Sequence, residues 1–432
     1  MNKKDIEDIF GLSPLQQGML FHALSNEDSK LYFEQLNCTL RGGVNVPALK
    51  RAWDKVAERH AVLRTSFAWE GIKKPVQIVH RHKPLDWVEL DWRDRDAAEQ
   101  KIALADYAQS DRTRGYDMTK APLMRLALIR LTDDAYHFIW SYHHVLVDGW
   151  SLSIIFREAL QFYSTFSNGQ DLDLPAPTSF RTYIEWLAKQ NLGEAETFWR
   201  TTLKDFLAPT PLPFDFVHAN GAADVPRFYT QHLLIERTIS AGLQQLARQY
   251  QLTVNTIVQG AWALLLSRYS GSRDVIFGAA VSGRPAGLPG VEAIVGNFTN
   301  TLPVRVQLDA KKTVASWLRQ LQSDQLQARQ YDYSPLAQVQ GWSEMGRGHG
   351  LFDSFLAFEN SPINSSSLQQ EQRTSGISAE TNEQSSNYEK SSWSITLGVV
   401  PGEQIFLQLT YDQRRFTDDT ITRLLQHFQH VL

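Results

Sequence analysis

The stretch Tyr142-His143-His144-Val145-Leu146-Val147-Asp148-Gly149-Trp150-Ser151 holds the residues of this chain best suited to chemistry. An imidazole, with an unperturbed pKa of about 6.5, accepts, donates or positions a proton near neutral pH. Val145, Leu146 and Val147 would exclude water around it, and Asp148 is the nearby charge able to hold the loop or fix a histidine tautomer. Successive strand side chains point to opposite faces, so His143 and His144 should play different roles, one facing a cleft and the other the core. A lone histidine on an apolar strand is more often a hydrogen-bonded core residue than a catalyst. Two in tandem, with Asp-Gly at this offset, read instead as a catalytic loop. Two imidazoles and a carboxylate are also ordinary metal ligands, but adjacent strand residues diverge and helical metal motifs space their histidines by a full turn, so no metal is expected.

The elements that must position this loop follow from periodicity. Leu123–Leu131 and Tyr136–His143, rich in β-formers, read as a hairpin over Thr132-Asp133-Asp134 that ends on the histidines. Ser151–Phe166 follows as an amphipathic helix, so the motif lies between a strand end and a helix start, where backbone N–H groups are free to bind polar substrate atoms. Upstream, Pro14–Leu24 (with Ser13 as N-cap), Val46–Arg59 and Ala97–Gln109 read as helices, and Tyr32–Leu40, Val62–Phe67 and Pro75–His80 as strands. Downstream, helices are expected at Thr182–Gln190, Glu194–Lys204, Ala241–Tyr250, Val254–Tyr269, Thr313–Ala328 and Thr417–Leu432. Trp186, Phe198 and Trp199 on the first two of these read as core aromatics. Strands are expected at Val275–Ala280 and, joined by Pro401-Gly402-Glu403, at Trp393–Val400 and Gln404–Tyr411. Asn168–Pro177 reads as a connection that divides the chain into lobes 1–173 and 174–432. Ser282–Gly290, rich in Pro and Gly, reads as a structured loop, Gly221–Asp224 as a surface segment, and the serine-rich run Ser361–Ser392 as neither helix nor strand.

The His-His-x-x-x-Asp-Gly pattern resembles that of the chloramphenicol acetyltransferase-like superfamily, and further motifs narrow the resemblance to the condensation domains of nonribosomal peptide synthetases. Leu12–His22 (LSPLQQGMLFH) resembles the opening motif of that family, Arg59–Phe67 (RHAVLRTSF) its second, Phe180–Trp186 (FRTYIEW) its fourth and Val295–Arg305 (VGNFTNTLPVR) its fifth. Tyr331–Leu336 (YDYSPL) matches a sixth loosely. The resemblance implies an α/β fold with mixed sheets, in two acetyltransferase-like lobes forming a V-shaped pseudo-dimer around a central tunnel. It also implies an acyltransferase that joins a donor acyl thioester to the amine of a carrier-bound aminoacyl acceptor. His144 would then orient or deprotonate the amine, and His143 would be its structural neighbour. Asp148 would hold the loop through Arg284, and Gly149 would leave room for substrate and offer its N–H to the oxyanion. Trp150, Ser151, Asn297 and Asn300 would lie along the tunnel or near substrate.

The same resemblance implies no cofactor bound by the domain itself. Substrates arrive on the phosphopantetheine of carrier proteins or as acyl-CoA; the partners are a downstream peptidyl carrier and an adjacent adenylation domain, with the excised domain a monomer. Heterocyclising relatives replace the paired histidines with Asp, and epimerising relatives keep them, although the opening motif Gly18-Met19-Leu20-Phe21-His22 looks more like that of a condensing domain. Because the first motif begins at Leu12, close to Met1, the expectation is a starter domain that N-acylates the first amino acid with a fatty acyl group from acyl-CoA or an acyl carrier. The chain ends within or just after its final helix with no adenylation or carrier segment, as an excised domain would. The alternatives are an internal peptidyl-elongating domain, a noncatalytic module that binds carriers or tailoring enzymes, and a stand-alone acyltransferase.

Composition excludes other classes. With 43 Lys plus Arg against 47 Asp plus Glu, the net charge of −4 offers no basic footprint for nucleic acid. A single cysteine, Cys38, rules out an internal disulfide and suits a reducing cytoplasm. The N-terminal Met1-Asn2-Lys3-Lys4 leads into Asp-Ile-Glu-Asp rather than an apolar signal core, and the apolar stretch Ile257–Leu266 is too short for a membrane span, which needs about 18 residues.

Overall fold

A computed structural model describes residues 3–25, 32–212, 228–345, 350–359, 378–381 and 393–432. Its contacts divide the chain into two compact units: Met1–Lys189 with Arg284–Phe298 and Ser361–Ser386, and Gln190–Gly283 with Thr299–Asn360 and Asn387–Leu432. The expected boundary at 173/174 falls short of this division at 189/190. The reason is that Phe180 and Tyr183 pack on Phe298 in the first unit, at ring separations of 5.1 and 4.4 Å.

In chain order, the first unit contains β1 (Ile6–Gly11), α1 (Pro14–Ser25), β2 (Phe33–Arg41), α2 (Val46–Arg59), β3 (Thr65–Ala68), β4 (Val76–His80) and β5 (Asp86–Asp91). It continues with α3 (Ala97–Arg114), β6 (Met124–Arg130), β7 (Ala135–His143), α4 (Gly149–Ser167) and α5 (Arg181–Leu187), and is joined by the late strand β12 (Ser378–Thr381). Its main sheet runs β12-β2-β7-β6-β5, with only β5–β6 parallel. A small sheet, β1-β4-β3, accompanies it.

The expected hairpin is present as β6–β7, in a register that pairs Met124 with Tyr142 and places His143 opposite Phe33 of β2. β7 is buried along nearly its whole length. One of its faces meets the main core, where Trp140 packs on Trp53 of α2 at 4.8 Å and on Phe156 of α4 at 5.4 Å. Ile139, on the other face, joins the smaller cluster of Trp92, Ala127 and Ile129.

Several expectations are corrected. Ala61–Arg64 forms a 3₁₀ turn and only Thr65–Ala68 is strand, because the Arg64 guanidinium is buried against the carbonyls of Ala57, Glu58, His80 and Arg81. Within the serine-rich run, Ser378–Thr381 pairs with the edge of β2 from Arg41 to Cys38, which requires only main-chain donors and acceptors. The rest of that run, and Gly221–Asp224, lie outside the described residues.

The second unit contains α6 (Leu192–Thr202), β8 (Phe228–Leu234), α7 (Arg237–Tyr250), α8 (Val254–Ser270), β9 (Asp274–Val281) and β10 (Asn300–Gln307). After them come α9 (Val314–Ala328), α10 (Leu336–Trp342), β11 (Ser354–Phe358), β13 (Ile395–Val400), β14 (Phe406–Asp412) and a last helix, α11 (Asp418–Val431). Its sheet runs β10-β9-β11-β13-β14-β8, with β11 parallel to both neighbours. α8 is buried throughout residues 256–263, with Trp262 against Phe428 of α11.

Candidate functional site

The site begins where β7 stops. After His143 the chain turns through His144–Val147, and Asp148 caps α4 by accepting the Ser151 N–H at 2.8 Å. Val145, Leu146 and Val147 are at most 1% exposed, so the loop is pinned by burial. The opening motif braces it from α1: the Gln16 side chain donates to the Val145 carbonyl at 3.0 Å and accepts the Ser13 N–H at 3.0 Å.

The two histidines occupy different environments. His143 is buried, its Nδ1 accepts the Val145 N–H at 3.1 Å, and burial together with the neighbouring His144 pushes its pKa down to about 3. It is a neutral structural imidazole at any working pH. His144 is half-buried, and its Nδ1 lies 2.7 Å from the Val147 carbonyl. A carbonyl only accepts, so Nδ1 carries the proton of the neutral ring and Nε2 presents a lone pair. The Asn297 amide donates to the His144 carbonyl at 2.6 Å, which anchors the peptide on which this ring stands.

Asp148 is almost fully engaged and 3% exposed. One carboxylate oxygen accepts from Ser151 N–H and from Arg284 Nη2 at 3.2 Å, and the other accepts the Phe298 N–H at 3.1 Å. The Arg284 guanidinium also donates to the Val291 and Ile294 carbonyls, at 2.6 and 2.9 Å, and to Ser151 Oγ at 3.0 Å, and it lies 3.9 Å over the Phe298 ring. Burial lowers the Arg284 pKa, and Asp148 opposes that shift. Ser151 Oγ completes the knot by donating to the Gly296 carbonyl at 2.8 Å and accepting the Gly296 N–H at 3.0 Å. A carboxylate with these partners fixes the geometry of the loop.

The remaining candidates divide. Trp150 donates its indole N–H to the Glu292 carbonyl at 2.9 Å, which ties the start of α4 to the segment 284–298. A β-carbon on Gly149 would meet nothing within 4 Å, so this glycine leaves open space beside the histidine loop. Asn300 belongs to the second unit, where its amide holds the Asp332 and Ser334 carbonyls at 2.6 and 2.8 Å. Ser151 and Asn297 are buried framework residues of the loop, at 0% exposure each. Sequence reasoning did not single out Tyr32, whose carbonyl accepts the His144 N–H at 2.7 Å, since a tyrosine before a strand carries no signal of such a role. Among the described residues no group of three or more His, Cys, Asp or Glu could hold a metal ion, and no helix is long and apolar enough to cross a membrane.

Comparison with known proteins bears on the chain as a whole. The family model described as "Condensation domain" matches residues 6–432. One polypeptide of the linear gramicidin synthase of Brevibacillus parabrevis is 44% identical over 430 residues, covering 99% of this chain and 5% of that protein. Another polypeptide of the same synthase is 45% identical over 428 residues, covering 99% and 8%. The chain thus spans less than a tenth of the length of these relatives. Among solved structures, the starter condensation domain of rhizomide synthetase, in complex with C8-CoA, superposes with a TM-score of 0.79 at 18% identity, covering 98% of this chain and 94% of that one, a likeness of fold alone.

Proposed function

The chain belongs to the condensation-domain family, and from that premise we propose that it joins a donor acyl thioester to the amine of an aminoacyl thioester acceptor. Condensation domains of nonribosomal peptide synthetases are amide-forming acyltransferases that work beside carrier and adenylation domains. Both substrates here would be carried on phosphopantetheine, and the domain itself would need no cofactor. The acceptor nitrogen attacks the thioester carbon, its N–H proton passes to His144 Nε2, the C–S bond breaks, and the thiolate leaves with a proton from the imidazolium or solvent. Because an α-amine has a pKa of about 8, a usable neutral fraction exists at working pH, and His144 serves to aim and unload it. The observation that carries this reading is the contact of His144 Nδ1 with the Val147 carbonyl, which leaves Nε2 as the acceptor.

For the donor, we favour a peptidyl or aminoacyl group on an upstream carrier over the fatty acyl group of a starter domain. The relatives at 44% and 45% identity both belong to a peptide synthase, whereas the starter domain is matched at 18%. The test incubates an aminoacyl-loaded carrier with this chain and either a panel of acyl-CoAs or a loaded peptidyl carrier. Intact mass is then read on the acceptor. Transfer from the peptidyl carrier supports the reading, transfer from acyl-CoA alone restores the starter assignment, and transfer from neither leaves a noncatalytic binding module.

A further inference from the structure

Tyr32 stands in the left-handed backbone region, at φ 67, just before β2. An aromatic residue there is an outlier that its surroundings must hold in place, and such outliers gather where function needs a fixed geometry. Two contacts bear on it. The Tyr32 hydroxyl lies 2.8 Å from Nδ1 of His22, in the last turn of α1, and the two rings are stacked with an interplanar angle of 4°. At the other end of the residue, the Tyr32 carbonyl accepts the His144 N–H at 2.7 Å, one step beyond the Phe33–His143 pair that ends the β2–β7 ladder. The His144 peptide is thereby held on both sides, with its N–H on Tyr32 and its carbonyl on Asn297.

We infer that Tyr32 is a positioning residue for His144, and that the His22–Tyr32 pair keeps its carbonyl aimed at the His144 amide. The inference deepens the amide-forming reading and rests on it. Were Tyr32 to relax to an extended conformation, its carbonyl would turn away from the His144 N–H. The origin of the catalytic ring would then move, although no side chain in contact with substrate had changed. His22 contributes through the same path, its Nδ1 2.8 Å from the Tyr32 hydroxyl, and burial lowers its pKa. This gives the last residue of the opening motif, His22, a role in the chemistry of a loop more than a hundred positions later.

The test combines kinetics with hydrogen exchange on this chain, using Tyr32→Phe, His22→Phe, the double variant and His22→Gln. Tyr32→Phe and His22→Phe each remove the hydrogen bond and keep the ring. Each should lower kcat for amide formation by about ten- to a hundredfold, the scale set by small misplacements of a catalytic group, with KM for either substrate nearly unchanged. The double variant should be no slower than the slower single variant, and His22→Gln should restore most of the rate. Independently of turnover, exchange at the His144 amide should accelerate by about tenfold or more in both single variants while global unfolding is unaltered. Unchanged His144 exchange together with wild-type kcat, or a double variant whose loss is the product of the two single losses, would overturn the inference. If the wild type forms no amide at all, the reaction assigned above falls, while the exchange measurement still decides the role of Tyr32.

Discussion

At the scale of residues, the site is a division of labour among groups that look equivalent in sequence. Of two adjacent imidazoles, one is buried and accepts a backbone N–H, and the other keeps Nε2 for use. The carboxylate that might be taken for their partner is instead spent on a helix cap, a backbone N–H and an arginine. Gly149 offers a clean separation of folding from function. Its added β-carbon would meet nothing within 4 Å, and it stands at the first position of α4, where alanine is welcome. Gly149→Ala should therefore leave stability within about 0.5 kcal/mol of wild type in urea unfolding. Amide formation should fall if substrate passes through that space; unaltered kcat/KM would show that nothing approaches there. The paired histidines and Asp148 stood out in the sequence as polar residues at a strand end beside apolar ones and a glycine, and the structure divides their roles. Tyr32 and Gln16 did not stand out, since one acts through its own carbonyl and the other on a carbonyl of a distant loop, and neither contact is advertised by side-chain chemistry.

At the scale of elements, β7 matters most, because it is buried on both faces and yet bears histidines at 137 and 143. Burial pushes their pKa values from 6.5 down to about 4 and about 3. Below pH 6.5 the unfolded chain takes up protons that the folded strand refuses, so the stability that these neutral rings allow is complete above 6.5 and is lost as pH falls toward 4 and then 3. The melting temperature should drop steadily from pH 7 to pH 4, and His137→Gln should flatten that slope; an identical slope would remove His137 as a contributor. A second element-scale prediction concerns Gly296, where an added β-carbon would fall within the Phe180 ring. Gly296→Ala should destabilise the first unit by about 1–3 kcal/mol through overpacking, read as a shift in the urea midpoint.

Strand periodicity revealed β6, β7, β13 and β14, whose alternating or continuous apolar runs allow little else. It did not reveal β10, where Pro303 argues against a strand although the structure places that residue in the outermost strand of its sheet, which tolerates the missing donor. Nor did it reveal β12, whose Ser378–Thr381 pairing rests on main-chain groups.

At the scale of the whole molecule, the first unit is assembled from segments far apart in sequence, and the segment Arg284–Phe298 that completes its site lies, along the chain, between two strands of the second unit, β9 and β10. Arg284 is the charge that this segment brings to Asp148, both side chains being 4% exposed. Arg284→Ala would leave a buried carboxylate unpaired and should cost about 3–5 kcal/mol, measured by chemical unfolding. A loss near zero would mean that the segment is held by its backbone contacts alone. The division into two parts was read from the connection Asn168–Pro177, but the return of Arg284–Phe298 to the first unit was not, because contacts between distant segments leave no local pattern to read.

The most direct test of the account is amide formation on an aminoacyl-loaded carrier by wild type and by His144→Ala, followed by intact mass with folding checked by circular dichroism. The account predicts a rate lower by about 10²–10⁴ in a variant that folds as wild type and binds its acceptor with similar KM. A folded His144→Ala variant that condenses at the wild-type rate would contradict it.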